Sequence, residues 1–218
     1  MNYGNKPVKT AIIGLGIMGR RMLEHMILHN AYKPVALWDP KQEACEKAQM
    51  LAPDAFVTAS AEAAIATAEL VYLSCPPAPR KAYALTAAAA GKAAFLEKPL
   101  GINISGSENL VASLKSFNIP SAVNFTQAAG AALTDISRSA KSGELGNIIG
   151  ADIIVTYNEW PRAWQKSADW LRFRDEGGMT REVISHFLFF SERILGPLKV
   201  IWARPTYPND AALCETHL

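Results

Sequence analysis

A chain of 218 residues, half of them hydrophobic, carries enough apolar mass for one large domain or two modest ones with real cores. Its 22 basic and 20 acidic residues leave a net charge of +2, and no basic tract is interleaved with aromatics, which argues against nucleic acid as a partner. Three cysteines, Cys45, Cys75 and Cys214, fit no zinc spacing or disulfide framework, and no apolar run approaches the ~20 residues of a membrane span, so a cytoplasmic protein with no membrane partner is expected.

The apolar run Val8 to Ile13 reads as a first strand. Lys6 and Lys9 precede it, but the stretch is short and ends in Gly-Arg-Arg rather than a small-residue cleavage site, so it is no secretion signal. A glycine turn with Gly14, Gly16 and Gly19 follows, and a helical pattern runs from Ile17 to His29. Strand, glycine turn and helix in that order suit a dinucleotide pyrophosphate. Gly14 permits the tight turn, Gly16 has no side chain to block the phosphates, and Gly19 lets helix and strand pack closely. The amides and positive dipole end of the helix then face the anion.

Val35 to Asp39 reads as a second strand, and its terminal carboxylate lies 20 residues beyond Gly19, the spacing at which an acid binds the adenine ribose hydroxyls. The competing reading of Asp39 is a helix cap before Pro40. His25 and His29 sit four apart, but no third ligand is near, and a solvated helix face is expected rather than a metal site.

Further along, helices are predicted over Lys41 to Leu51, up to Thr67, over Arg80 to Ala90 and over Asn103 to Phe117. They alternate with strands at Ala55 to Thr58, Leu70 to Cys75, Ala93 to Leu96 and Ser121 to Phe125. Pro76, Pro77 and Pro79 end the fourth strand hard. The alternation means βαβ units and a doubly wound parallel sheet, an α/β fold of the Rossmann kind.

From Ala131 the pattern changes. A helix to Ser142 leads into Gly143-Glu-Leu-Gly146, after which Ile149, Ala151, Ile153, Val155 and Tyr157 alternate with more polar positions, the period of a long half-buried strand. A loop with Trp160, Trp164 and Trp170, the pair Gly177-Gly178, an apolar helix from Met179 to Leu195 and a strand around Leu198 to Ala203 complete a smaller α+β unit.

Two clusters suit chemistry. Strand five ends in Glu97-Lys98-Pro99, where ligands bind in open α/β sheets, so Lys98 is placed to donate to a substrate oxygen or relay a proton; a strand-end salt bridge worth little is an equal alternative. On the late helix Glu182 and His186 share a face with Phe189 and Arg193, while Val183, Phe187, Phe190 and Ile194 form the core face. Imidazole has the pKa to accept a hydroxyl proton, and a carboxylate one turn away orients it. The preceding glycine pair favours this over an exposed ion pair, because it permits close approach to a ligand.

The GLGIMG turn, Glu97-Lys98-Pro99, the Gly143-to-Gly146 step before a long strand, and Asp169-Trp-Leu-Arg172 leading through Gly177-Gly178 to Glu182 and His186 together resemble the Gfo/Idh/MocA oxidoreductases. The resemblance reaches to about Ala203. It implies an NAD(P)-binding Rossmann domain over 1–126 and, over 127–218, a partial C-terminal α+β domain with an open, mostly antiparallel sheet for substrate and oligomer contacts. It further implies hydride transfer between NAD, or NADP, and a sugar, polyol or related hydroxy or keto substrate, in a homo-oligomer, dimer or tetramer. Cofactor-binding residues are then expected at Gly14, Gly16, Ile17, Met18, Gly19, Asp39, Cys75, Pro76, Glu97 and Lys98, and catalytic ones at Lys98, Glu182 and His186. Asp39 favours NAD by repelling a 2′-phosphate, with Lys41 leaving NADP open.

The chain departs from the family pattern at Glu176, Ile184 and Phe189 around the late motif, at Arg80 where a histidine is frequent, and at Thr126-Gln127 where an arginine pair is common. Family members usually continue for about a hundred residues more, so an unpaired sheet edge is expected here, covered by a partner subunit or marking a truncated product. The rival function is a non-catalytic dinucleotide-binding or assembly protein derived from that family.

Overall fold

The computed structural model describes residues 6–218, with Ala128 defined by its main chain alone, so residues 1–5 of the predicted first domain lie outside it. The chain divides into two compact units, Met1–Asn124 and Phe125–Leu218.

In the first unit, strands and helices alternate: β1 Val8–Ile13, α1 Ile17–Ile27, β2 Tyr32–Trp38, α2 Gln42–Leu51, β3 Phe56–Val57, α3 Ala61–Thr67, β4 Leu70–Leu73, α4 Pro77–Ala89, β5 Ala93–Glu97, α5 Ile104–Ser116 and β6 Ser121–Asn124. All neighbouring strands run parallel, in the order β3-β2-β1-β4-β5-β6. The strands are apolar because both faces are covered. Ile12, Leu37 and Tyr72 pack with Leu23, Met26, Cys45 and Ala48 of α1 and α2. Ala11, Ile13, Val71, Leu73 and Leu96 turn to the other face, against the alanines of α3 and α4 and against Leu110 and Leu114 of α5. Each large aliphatic side chain so buried contributes about 1.5–3 kcal/mol. Ser60 and Asn103 cap α3 and α5, accepting from the amides of Ala63 at 3.2 Å and Gly106 at 2.7 Å, caps worth ~1 kcal/mol each.

The chain winds outward from β1 through β2 to β3, then returns to the other side of β1 with β4. That reversal opens a crevice beyond the C-terminal ends of β1 and β4, the place where open α/β sheets bind ligands.

Two elements start earlier in the chain than expected. Helix α4 starts at Pro77 rather than Arg80, because proline at the first helical position has its φ preset and lacks only an N–H that would have no intrahelical partner. Strand β2 begins at Tyr32 despite Pro34, which pairs with Thr10 where the register to β1 shifts before Ala11; an irregularity in the ladder is where a strand tolerates proline.

The second unit opens with a 3₁₀ turn at Thr126–Ala129, then α6 Ala131–Lys141, short 3₁₀ turns at Ala163–Gln165 and Asp169–Arg172, a π-helical turn at Thr180–Ile184 and α7 Ser185–Leu195. The predicted long strand and the strand around Leu198 to Ala203 are not formed, and the described residues of this unit carry only two isolated bridges, Phe173 to Leu213 and Thr206 to His217. An open antiparallel sheet is therefore a correction to the expected fold. Of the predicted inward positions only Val155 and Tyr157 are half-buried, between exposed neighbours, while Ala151 and Ile153 are exposed and Ile149 stands 101% exposed. A half-buried strand forms only when a neighbour takes its amides and carbonyls and covers its apolar face. The single helix expected from Met179 likewise begins as the π turn and becomes α-helical at Ser185.

Candidate active site

At the end of β1 the chain turns through Gly14, whose φ is +91° and whose position leaves no room for a side chain: a Cβ would lie 2.4 Å from the Cys75 nitrogen. Gly19 is equally confined, since a Cβ there would fall 1.9 Å from the Gly14 carbonyl oxygen. The Ser74 hydroxyl closes the crossing by donating to that same oxygen at 2.6 Å. Gly16 is the contrary case. A Cβ at Gly16 would meet nothing within 4 Å.

The turn thus packs tightly against β4 on one side and opens outward at Gly16. The amides of Ile17, Met18 and Gly19 form the first turn of α1, where a helix has no internal acceptors. A pyrophosphate fits this arrangement of open glycine, first-turn amides and positive helix end.

Asp39 lies directly after β2 and does not cap the next helix by its side chain. Its Oδ2 accepts from the Leu15 amide at 2.7 Å and its Oδ1 from the Lys41 amide at 2.9 Å. The carboxylate is thereby fastened to the glycine turn itself, with lone pairs left for further donors. Arg20 donates to the Leu15 carbonyl at 2.7 Å, closing the same turn from the helix side.

Beyond β4, Cys75 is buried and Pro76 exposed, and at the end of β5 Glu97 is buried while Lys98 is half-buried. The Glu97 carboxylate turns into the sheet: its Oε1 accepts from the Tyr72 hydroxyl and from Asn124 Nδ2, the latter at 2.6 Å. Burial, then the Glu97 charge, raises the Tyr72 phenol above its ordinary value, so it stays protonated and donates. Burial likewise raises the Cys75 thiol, against a smaller opposing pull from Arg80.

Both groups are acids favoured in their neutral form by folding, so their contribution is full at neutral pH and is lost as pH rises through their displaced titrations. The melting temperature is expected to hold level from pH 6 to 8 and to fall above about pH 9–10, where the unfolded thiol and phenol ionise. Tyr72→Phe should flatten part of that alkaline slope while lowering stability at pH 7 by about 1–2 kcal/mol through the lost donor to Glu97. Melts at stepped pH check both.

In the second unit Glu182 and His186 are 7% and 8% exposed, the carboxylate on the π turn and the imidazole one turn on in α7. Single π turns recur at functional sites. The expected core face is less covered than this polar pair: Val183 is buried, but Phe187, Phe190 and Ile194 are only half-buried. His186 meets the ring of Phe125 edge-on at 5.5 Å, Phe125 stacks on Phe189 at 4.5 Å, and the Arg193 guanidinium lies 5.0 Å from the Phe189 ring.

The glycine pair before this helix serves the chain's own packing, not a ligand's approach. A Cβ on Gly177 would strike the Leu171 carbonyl oxygen at 2.4 Å, and one on Gly178, with φ +105°, would lie 2.9 Å from a Glu215 carboxylate oxygen. Glu215 accepts from the Thr180 amide at 2.6 Å and so holds the start of the π turn. Phe125 and Glu215 had no signal in the sequence, one being read as the last residue of a strand and the other lying 35 residues from its partner. A hollow of about 770 Å³ between α6 and α7 is lined by Ser137, Arg138, Lys141 and Arg193 among others, and Glu182 and His186 are not part of its wall.

Among the described residues no group of three or more His, Cys, Asp or Glu could hold a metal ion, and no helix is long and apolar enough to cross a membrane.

A doubly wound parallel sheet with a glycine turn at its switch point and an acid fastened to that turn defines a dinucleotide-binding α/β protein. The family model of the Gfo/Idh/MocA proteins, described as the oxidoreductase family with an NAD-binding Rossmann fold, matches residues 8–125, more than half of the 218-residue chain. The chain belongs to that family.

No curated protein matches it. Solved structures share the fold at low identity. The WlbA dehydrogenase from Bordetella pertussis, in complex with NADH and UDP-GlcNAcA, is 19% identical with a TM-score of 0.79, over 88% of this chain and 59% of its own. Myo-inositol 2-dehydrogenase from Lactobacillus plantarum is 22% identical with a TM-score of 0.74, over 88% and 57%. Scyllo-inositol dehydrogenase from Lactobacillus casei is 18% identical with a TM-score of 0.73, over 88% and 55%. The chain therefore spans well under two thirds of the length of these structures.

Proposed function

We propose that this chain carries the cofactor-binding and catalytic groups of an NAD-dependent oxidoreductase that interconverts hydroxyl and carbonyl at a carbon of a sugar, polyol or similar substrate. The observation that carries the reading is the Asp39 carboxylate held on the Leu15 amide beside the open Gly16. NAD, when bound, supplies the hydride acceptor or donor.

The chain's own residues divide the remaining work. The Gly14 to Gly19 turn and the first amides of α1 receive the pyrophosphate, Asp39 accepts from the ribose hydroxyls, and the Cys75-Pro76 and Glu97-Lys98 segments border the crevice on the β4 and β5 side. Lys98 donates to the substrate oxygen, His186 takes the hydroxyl proton, and Glu182 orients and polarises the imidazole. The dehydrogenases that share the fold act, by their names, on inositols, and one is complexed with a nucleotide sugar, which supports a polyhydroxylated substrate. A domain boundary near residue 126 and a homo-oligomer of two or four chains belong to the same proposal.

Cofactor choice follows from the charge of Asp39. Asp39→Ser is expected to weaken NAD⁺ binding about 10- to 100-fold, the equivalent of losing charge-assisted hydrogen bonds of 1.5–3 kcal/mol, and to strengthen NADP⁺ binding by relieving repulsion of the 2′-phosphate. Calorimetric titration with both nucleotides checks it. A panel of polyols, sugars and nucleotide sugars, read at the reduced-nicotinamide absorbance, tests turnover; cofactor binding with no turnover on any member would instead favour a non-catalytic binding protein.

A further inference from the structure

Arg80, in the first turns of α4, is among the largest fully buried side chains of the chain, at 2% exposure. A buried guanidinium must find acceptors for a rigid fork of donors. Arg80 directs that fork at main-chain carbonyls. Nη1 donates to the Glu97 oxygen at 2.7 Å and to the Pro99 oxygen, and Nη2 donates to the Cys75 oxygen.

The identity of those carbonyls matters more than their number. Glu97 and Pro99 are the residues immediately before and after Lys98, so one nitrogen grips the main chain on both sides of the lysine. Cys75 follows β4, and its nitrogen is the atom that a side chain at Gly14 would strike. The second nitrogen therefore ties the lysine turn to the segment packed on the glycine turn. Glu97 is held a second time, through its carboxylate, by Tyr72 and Asn124. Lys98 is left as a half-buried side chain on a main chain fixed at either shoulder.

Stability alone accounts poorly for this arrangement. A buried charge bears a desolvation cost, and apolar residues of similar volume in its place often leave stability unchanged or improve it. The fork bridges the ends of β4 and β5, where the sheet presents groups to a ligand.

The structure assigns Arg80 as the positioning residue of Lys98: its guanidinium clasps the Cys75, Glu97 and Pro99 carbonyls so that the lysine ammonium is presented from a fixed turn beyond β5. That Lys98 serves the reaction rests on the function proposed above, whereas the clasp itself does not.

Reductive ¹³C-methylation of the full chain gives each lysine its own NMR signal, and Lys98→Arg identifies the signal of Lys98. In Arg80→Met, the Lys98 signal is expected to leave its wild-type position and join the envelope of exposed lysines, with other lysine signals unmoved. Amide exchange over residues 97–101 should rise at least about tenfold relative to the rest of the sheet. Arg80→Lys, which keeps a cation able to donate to Glu97 and Pro99, should restore most of the wild-type signal and so separates positioning from a general loss of packing. If Arg80→Met fails to fold, Arg80→Lys decides by whether the Lys98 signal holds.

An unmoved Lys98 signal in folded Arg80→Met, or one that joins the envelope of exposed lysines in folded Arg80→Lys, would overturn the assignment. Adding NADH to wild type tests the functional reading separately: an NADH-insensitive Lys98 signal would reject the role of Lys98 near the cofactor while leaving the clasp to stand or fall on the Arg80 variants. Where a substrate is turned over, Arg80→Met should lower kcat with the KM for NAD⁺ little changed.

Discussion

Gly16→Ala is expected to fold like the wild type and to bind NADH at least about tenfold more weakly, while Gly19→Ala should lose both stability and binding. The contrast comes from what each new methyl would meet. At Gly16 it meets no atom within 4 Å, and the backbone there, with φ −67° and ψ −158°, suits any residue. The fold is therefore indifferent, and replacing the capping glycine shifts stability by only about half a kcal/mol in either direction. The methyl nonetheless stands in the open space before the first amides of α1, where a pyrophosphate must come close.

At Gly19 the methyl would fall 1.9 Å from the Gly14 oxygen and 2.9 Å from the Ser74 hydroxyl. The main-chain oxygen cannot yield without parting α1 from the end of β1. Overpacking of this kind costs about 3 kcal/mol or more, which for a chain of this size lowers the melting temperature by roughly 6–12 °C. Thermal melts and NADH titration of the two variants side by side give the answer. Equal NADH affinity in Gly16→Ala and wild type would remove the cofactor from this turn.

Lys98→Met and His186→Gln form the second large expectation. Each should reduce turnover by about 10²- to 10⁴-fold, the range lost with a positioned proton donor or acceptor, while NADH affinity in His186→Gln stays within about threefold of wild type because the imidazole is not asked to hold the nucleotide in its ground state. Glu182→Gln should fall between wild type and His186→Gln, since it keeps the shape of the side chain and removes the charge that steadies an imidazolium. The test is steady-state kinetics on whichever polyol or sugar the panel identifies, with binding measured in parallel. Wild-type turnover in both Lys98→Met and His186→Gln would strip them of these roles.

Much of the first unit was legible in the sequence because strands buried on both faces are written as unbroken apolar runs, as at Val8–Ile13 and Leu70–Leu73, and because the intervening helices carry their own periodicity. The glycine turn and Asp39 were legible for a related reason: tight crossings admit only glycine, and the acid sits at the end of the neighbouring strand. Prolines misled at the start of α4, where they begin the helix instead of delaying it.

In the second unit the alternation from Ile149 to Tyr157 records a face, but a face becomes a strand only beside a partner strand, and pairing is not written in one segment alone. The glycine pair Gly177-Gly178 was legible as a site of close approach; what approaches, the Leu171 carbonyl and the Glu215 carboxylate, was not. Arg80 was legible only as a departure from pattern. Its three carbonyl contacts depend on strand ends that come together only in the folded sheet.

The most direct measurement is a titration of the folded 218-residue chain with NADH, followed by nicotinamide fluorescence and repeated with Asp39→Ser and Gly16→Ala. Saturable one-to-one binding in the micromolar range, weakened in both variants, is the predicted result. A folded wild-type chain that shows no saturation up to millimolar NADH, or one whose affinity is untouched by either change, would contradict the assignment of the glycine turn as the cofactor site.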